Sequence, residues 1–212
     1  SFKDSEAYYI PINHDDKGSN IVLHEKSIFD YLRDLFRKKD LTVVGQNIKY
    51  DINVLHKYEI IFDCKIQDTM LMSYIYNSSG KHDLNNLAKK YLDHDVIKYE
   101  DVVGSGVKQK VFSEIDVKTA MPYACEDADI TFKLYKYFIG KLKPLKDQHD
   151  LYTNVELPLI KVIAKIEQNG VMIDAKKLDK QSIDLGQRIQ LIEQDVYALA
   201  DQEFNIGSPK QL

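Results

Sequence analysis

Two pairs of polar residues in this sequence have the types and spacing that phosphate chemistry uses. Asn47 and Asp51 lie in the run Gly45-Gln46-Asn47-Ile48-Lys49-Tyr50-Asp51, and Tyr123 and Asp127 lie in Tyr123-Ala124-Cys125-Glu126-Asp127, with Asp129 just beyond. Each pair is spaced i, i+4, so on a helix its members share a face with Cβ atoms about 5–6 Å apart. Cleaving a phosphodiester needs an attacking water and a stabilised leaving oxygen, and two divalent ions about 3.5–4 Å apart serve both ends. Hard ions such as Mg²⁺ or Mn²⁺ take carboxylate oxygens and water rather than thiols. An aspartate borne on a helix is a rigid ligand for such an ion, and a phenol one turn away is placed to orient a bound water. Neither pair is diagnostic alone. An Asn or Asp after a strand also caps a helix, and a tyrosine four residues before an aspartate also describes an ordinary surface helix.

The elements that must position these residues can be read from the apolar pattern. Ala7 to Ile12 reads as a strand ended by proline, and Asn13 to Asn20 as a turn-rich loop. Ile28 to Lys39 has helical spacing, with Ile28, Tyr31, Leu32, Leu35 and Phe36 on one face. Leu41 to Val44 is a short buried strand, and Asn47 to Tyr58 the helix after it, so the first pair stands where a strand gives way to a helix. In open α/β sheets ligands collect there. A strand over Cys64 to Ile66, a helix over Asp68 to Tyr76 and another over His82 to Leu92 follow. Gly104 to Lys110 reads as a mobile loop, and a helix from about Pro122 to Ile139, with proline in its first turn, carries the second pair. Alternating strands and helices indicate an α/β domain over residues 1–145. Residues 146–212 read as all-helical, with one helix over Glu156 to Gln168 and the next N-capped by Asp174. That last helix carries Leu178, Ser182, Leu185, Ile189, Ile192, Val196 and Leu199 at alternating spacings of four and three, which makes one narrow seam. The seam suits either an amphipathic helix on its own core, the favoured reading, or a coiled coil.

Bulk properties narrow the classes. Across 212 residues, 44% hydrophobic and 29% charged, a packed core is affordable and wholesale disorder is excluded. The net charge of −4 argues against a module whose main task is to grip duplex DNA. It is compatible with an enzyme that gathers carboxylates around metal ions. No apolar run approaches a membrane span. Cys64 and Cys125 are far apart and read as reduced thiols, so a cytoplasmic location is expected. The ends, Ser1 and Leu212, read as those of a fragment.

Four runs, GQNIKYD, DTMLMSYIYN, GKHDLNNLAKKYL and YACEDADITFKLY, occur in the order and spacing of the 3′→5′ proofreading exonuclease domain of bacterial family A DNA polymerases. The tail, ELPLIKVIAKIEQNGVMID to EFNIGSPKQL, resembles the segment that enters the polymerase thumb, which separates this chain from other DEDD-type nucleases. The resemblance covers nearly the whole chain. It implies a ribonuclease-H-like mixed sheet flanked by helices, with the first strand missing here and an all-helical segment following. It also implies two-metal hydrolysis of the 3′-terminal nucleotide of single-stranded or frayed DNA, with two Mg²⁺ or Mn²⁺ ions in the intact parent protein.

Carried over by position, Asp51 resembles a carboxylate that reaches a metal through water, Asp127 a direct metal ligand, and Tyr123 the phenol that orients the attacking water. Gln46, Asn47 and Tyr50 resemble residues around the bound strand. Tyr99 and Leu84 match an aromatic and an apolar position in the same cleft, and core packing is an equal reading of both. His82 is read as a structural histidine, and Lys49 and Lys81 as solvated rather than phosphate-bound. The family's Asp-x-Glu motif has no match. The chain is therefore expected to bind metal weakly or not at all, to have little nuclease activity, and to have a sheet edge open to self-association. The alternatives are a degenerate exonuclease-like domain kept as a structural spacer, or a single-strand-binding module.

Overall fold

The computed structural model describes residues 1–12, 14 and 25–211. The chain divides into two compact units, Ser1–Asn169 and Gly170–Leu212. The first unit is built on one βαβ crossover. Strand β1 (Thr42–Gly45) pairs in parallel with β2 (Lys65–Asp68), and helix α2 (Ile48–His56) connects them. The register places Gly45 opposite Asp68, so the carboxyl ends of both strands finish level. Helix α1 (Glu25–Phe36) precedes the crossover; α3 (Thr69–Tyr76), α4 (Leu84–Leu92), the short α5 (Tyr99–Val103) and the long α6 (Val117–Leu142) follow it. Helix α7 (Lys146–Leu151), a π-helical turn (Tyr152–Glu156) and α8 (Leu157–Asn169) complete the unit.

Two apolar clusters hold α6 and α2 in place. Met72 of α3, Leu87 and Ala88 of α4, and Ile130, Leu134, Phe138 and Leu142 of α6 form one core with Tyr152. The spacing of the α6 residues is the i, i+4, i+8 stripe of a helix with one buried face. Ile48 of α2, Phe62, Cys64, Ile66 of β2 and Ile160 of α8 form the other. A third, smaller cluster of Val103, Ile115 and Ala120 lies under Tyr9 and Phe112.

One buried carboxylate fixes the crossover. Asp68, 1% exposed, ends β2 and caps α3 by accepting from the N–H groups of Met70 (2.9 Å) and Leu71 (3.2 Å). It also accepts from Asn47 N–H (3.3 Å) and Ile48 N–H (2.8 Å), at the start of α2. Asn47 adopts the left-handed conformation (φ 59°, ψ 51°) that Asn tolerates better than most residues, and its own side chain makes no capping bond. The orphan N–H groups of two helices are thus satisfied by one side chain. Burial pushes the Asp68 pKa up, and the backbone N–H groups oppose that shift. Around it, the Tyr152 hydroxyl accepts from Asp68 N–H (3.0 Å) and donates to Gln67 Oε1 (3.0 Å). Thr69 Oγ1 donates to Gly45 O (3.2 Å) and pairs with Gln46 Oε1, while Gln46 Nε2 donates to His82 O (2.7 Å).

The structure departs from the sequence reading in several places. Residues 7–12 form no strand; the only pairing near the amino end, among the described residues, is an isolated antiparallel bridge between Lys3 and Glu6. A strand needs a partner backbone, and this segment instead lies with Tyr9 against the third cluster. Helix α6 starts at Val117 because Asp116 caps it through Thr119 N–H (3.0 Å), which leaves Pro122 inside the helix rather than in its first turn, without the bond to the Lys118 carbonyl. The Gly104–Lys110 loop contains a 3₁₀ turn, and α5 precedes it. The expected loop at residues 13–20 falls outside the described residues apart from His14. In the second unit, helix α9 (Ala175–Ala200) is capped by Asp174 through Lys177 N–H (3.0 Å) as expected, and it buries none of its side chains. No described helix is long and apolar enough to cross a membrane.

Two substitutions test this frame. Asp68→Ala leaves four N–H groups without their acceptor and is expected to cost roughly 3–5 kcal/mol in urea unfolding; a loss below about 1 kcal/mol would show that the double cap is dispensable. A Cβ at Gly45 would come within 2.8 Å of Ile48 Cβ, which is itself buried. Gly45→Ala is expected to cost roughly 1–3 kcal/mol with an unchanged m-value.

Candidate metal and DNA cleft

A cleft of about 880 Å³ opens beside β1, and Gln46, Asp51, Leu84 and Asp127 are among the residues that line it. Residues 76 positions apart in sequence are thereby brought to one wall: Asp51 comes from the first turn of α2 and Asp127 from the middle of α6. Asp51 as a whole is exposed, yet its neighbourhood is crowded. Burial raises its pKa to about 6, and the nearby Asp68 charge adds to the shift. Burial also raises Asp127, against the pull of a hydrogen bond from Tyr123. Tyr123 is pushed up to about 12, first by burial and then by the Asp127 charge and hydrogen bond. The i, i+4 spacing on α6 therefore produces a direct Tyr123–Asp127 contact.

Of the other candidates, Gln46 and Leu84 line the cleft, whereas Asn47, Tyr50, Tyr99 and Tyr123 are not among its lining residues. Tyr99 is 43% exposed and stacks on Phe112 (centroids 6.2 Å apart, planes 17° apart). Both rings lie about one ring-width from Tyr123, at 6.0 and 6.1 Å. Tyr99 is thus a surface aromatic connected to Tyr123. Leu84 lines the cleft and also packs against the α3–α4–α6 core, so both of its readings hold together. Tyr50 is 67% exposed on α2. Asn47 has a side chain with no hydrogen-bond partner among the described residues, whereas the Gln46 amide is engaged at both ends within the fold.

The neighbouring charges have other work. Glu126 accepts from Ile97 N–H (2.6 Å) and pairs with His94 Nε2 (2.8 Å). Asp129 accepts from Ser5 N–H (2.6 Å) and from Lys133 Nζ (2.6 Å). Lys49, read as solvated, pairs with Glu167. His82 contacts Ser73 Oγ through Nδ1 (2.9 Å), in keeping with a structural role. Among the described residues no three His, Cys, Asp or Glu side chains form a metal-binding group. The donor chemistry of Asp51 and Asp127 suits a hard divalent ion, but two carboxylates are fewer than such an ion needs without further ligands.

Three residues that matter here were not singled out as site residues, although Asp68 and Thr69 open one of the quoted runs. Asp68 and Thr69 open a helix after a strand, and Asp followed by an apolar run is an N-cap signal; it marks a cap but not a second helix to be capped. Phe112 has no local signal, because only the folded chain brings it to Tyr99 and Tyr123.

A family model described as 3′-5′ exonuclease matches residues 1–143. DNA polymerase I of Pseudomonas aeruginosa is 41% identical over 213 aligned residues, covering 99% of this chain and 23% of that protein. DNA polymerase I of Borreliella burgdorferi is 37% identical, covering 100% of this chain and 22% of that protein. The chain thus spans less than a quarter of the length of these relatives. A solved structure of the POL domain of Pol1 from M. smegmatis, in complex with DNA primer-template and dNTP, aligns at a TM-score of 0.65 and 16% identity over 91% of this chain and 30% of that one, which is a likeness of fold. With its ribonuclease-H-like α/β architecture, the chain belongs to the 3′-5′ exonuclease family of DNA polymerase I proteins.

Proposed function

We propose that this chain is the proofreading portion of a DNA polymerase, removing nucleotides from single-stranded or frayed 3′ ends, with residues 1–145 as the exonuclease domain and 146–212 leading into the polymerase domain. The observation that carries the reading is the convergence of Asp51 and Asp127 on one cleft, with Tyr123 one helical turn from Asp127 and close enough to shift its pKa. Asp51 and Asp127 would hold two Mg²⁺ or Mn²⁺ ions together with further carboxylates, and the bound ions would supply charge neutralisation and an activated water. With only these two carboxylates, the chain by itself is expected to hold metal poorly and to trim DNA slowly. A cytoplasmic location goes with this role.

The chain's own groups divide the remaining work. With a pKa near 12, Tyr123 keeps its proton at neutral pH, so it acts as a hydrogen-bond donor that orients a water or phosphate oxygen rather than as a base. Tyr99, with Phe112 behind it, offers a face on which any base can stack, and sequence-tolerant stacking suits an enzyme that must remove any nucleotide. Leu84 supplies an apolar wall, Tyr50 is exposed on α2, and Asn47, just before α2, has a side chain that caps nothing and is free to bond the strand. Gln46 supports the turn between β1 and α2 from behind.

Two measurements test this reading. In the polymerase that carries this chain, Asp127→Ala is expected to slow 3′-end trimming on the order of 10²-fold or more while nucleotide addition continues. Equal trimming by the variant would remove Asp127 from the site. The second test concerns stability. A carboxyl whose pKa rises on folding, from 3.8 to about 6 for Asp51, is harmless below pH 4 and costs most stability above pH 6. Asp51→Asn is therefore expected to stabilise the chain at pH 8 by about 1 kcal/mol, after discounting for its exposed side, a rise of ~2–4 °C in Tm. The gain should fade between pH 6 and pH 4; a gain independent of pH, or a loss at pH 8, would contradict the assignment.

A further inference from the structure

We infer that Glu167, in the last turn of α8, is a positioning residue for Asp51. The inference rests on reading Asp51 as a carboxylate of the metal site. Helix α2 has two working faces. Lys49 and Asn53 are four residues apart and share one of them. Asp51 lies two residues from each, about 200° around the helix, and so looks the other way, towards the cleft.

Helix α8 grips the first face. The Glu167 carboxylate uses both oxygens: Oε1 pairs with Lys49 Nζ, and Oε2 accepts from Asn53 Nδ2 at 2.6 Å. Gln168 Nε2 donates to Asn53 Oδ1 at 3.0 Å, so the Asn53 amide is held from both sides. Beneath this bracket Ile160 of α8 and Ile48 of α2 share a buried cluster. Lys161 Nζ donates to Phe62 O at 2.7 Å and ties down the segment that leads from α2 to β2.

An isolated exposed ion pair contributes about 0–1 kcal/mol. The value of this one lies in geometry rather than in stability. Asp68 fixes only the first turn of α2; the rest packs its apolar face on the cluster of Phe62, Cys64, Ile66 and Ile160, and the polar bracket to its Lys49–Asn53 face comes from α8. Asp51 is carried through any rotation of that helix, and a displacement of about 1 Å in a reacting group can cost up to 10²-fold in rate. Glu167 stands two residues before the compact unit ends at Asn169, so any shift of the last turn of α8 is delivered to the helix that carries Asp51.

The test has two readouts. In the metal-free 212-residue chain, Glu167→Gln is expected to speed amide exchange in α2 about tenfold while α4 and α6 exchange as before. In the polymerase that carries this chain, the same variant is expected to lower kcat for 3′-end trimming three- to tenfold, leaving KM for single-stranded DNA within twofold. The charge-swapped double variant Lys49→Glu, Glu167→Lys should recover at least half of the lost rate. A purely structural bracket would leave kcat and the rescue unmoved. The inference is overturned by unchanged α2 exchange, by exchange that rises equally in all helices, or by an unchanged kcat in a protein whose Asp127→Ala variant has lost trimming. If Asp127→Ala trims at the wild-type rate, the site reading fails instead, and the α2 exchange result still decides whether Glu167 holds that helix.

Discussion

The Asp68 carboxylate is the interaction on which the rest of the unit depends. A buried charge is costly unless hydrogen bonds compensate it, and here four backbone N–H groups do so. Those N–H groups belong to two helices that would otherwise each need a cap of their own. A single residue at the end of β2 thereby sets where α2 and α3 begin, and the parallel register with β1 brings the α2 start close enough to be reached. Through Tyr152 the same position is tied to the helices after α6, so the crossover, the core and the α7–α8 arm meet at one point.

From that point the cleft follows. Fixing α2 at its N-terminus places Asp51, one turn in, at the rim of the open space beside β1. Fixing α3 against α6 places Asp127 on the same space. The arrangement works against stability, since both carboxyls have pKa values raised by burial, at positions where water solvates their ionised forms less well than in the unfolded chain. Groups held against their own solvation in a cleft mark a site more specifically than a motif does.

Much of this was legible in the sequence. The crossover, the helices that carry Asp51 and Asp127 and the shared face of Tyr123 and Asp127 follow from periodicity, because local patterns report local structure; Asn47, expected on the helix face of Asp51, instead stands just before α2 in the left-handed conformation. What was not legible depended on partners remote in the chain. Residues 7–12 have strand composition but no strand to pair with. Asn47 looks like an N-cap and is one by position, yet Asp68, twenty-one residues away, makes the capping bonds. Lys49 looked free because its partner, Glu167, lies 118 residues on. Phe112 completes an aromatic wall that no short window of sequence contains.

At this cleft the pattern of charge fits the proposed nuclease better than a binding module. A groove that grips single strands by itself is lined with cations that follow the backbone and release counterions. This one presents two carboxylates to the space a phosphate would occupy, and the nearest lysine on α2, Lys49, is turned to the far side and neutralised by Glu167. A bare phosphodiester would be repelled here. The same carboxylates become attractive once divalent cations lie between them and the phosphate, so binding and chemistry would be switched on by one ligand. That dependence suits an enzyme that acts on a strand end only when it is metal-loaded. It would be a handicap in a module whose task was to hold DNA, and it makes the proposed nuclease reading the more economical account of why two carboxylates face this cleft.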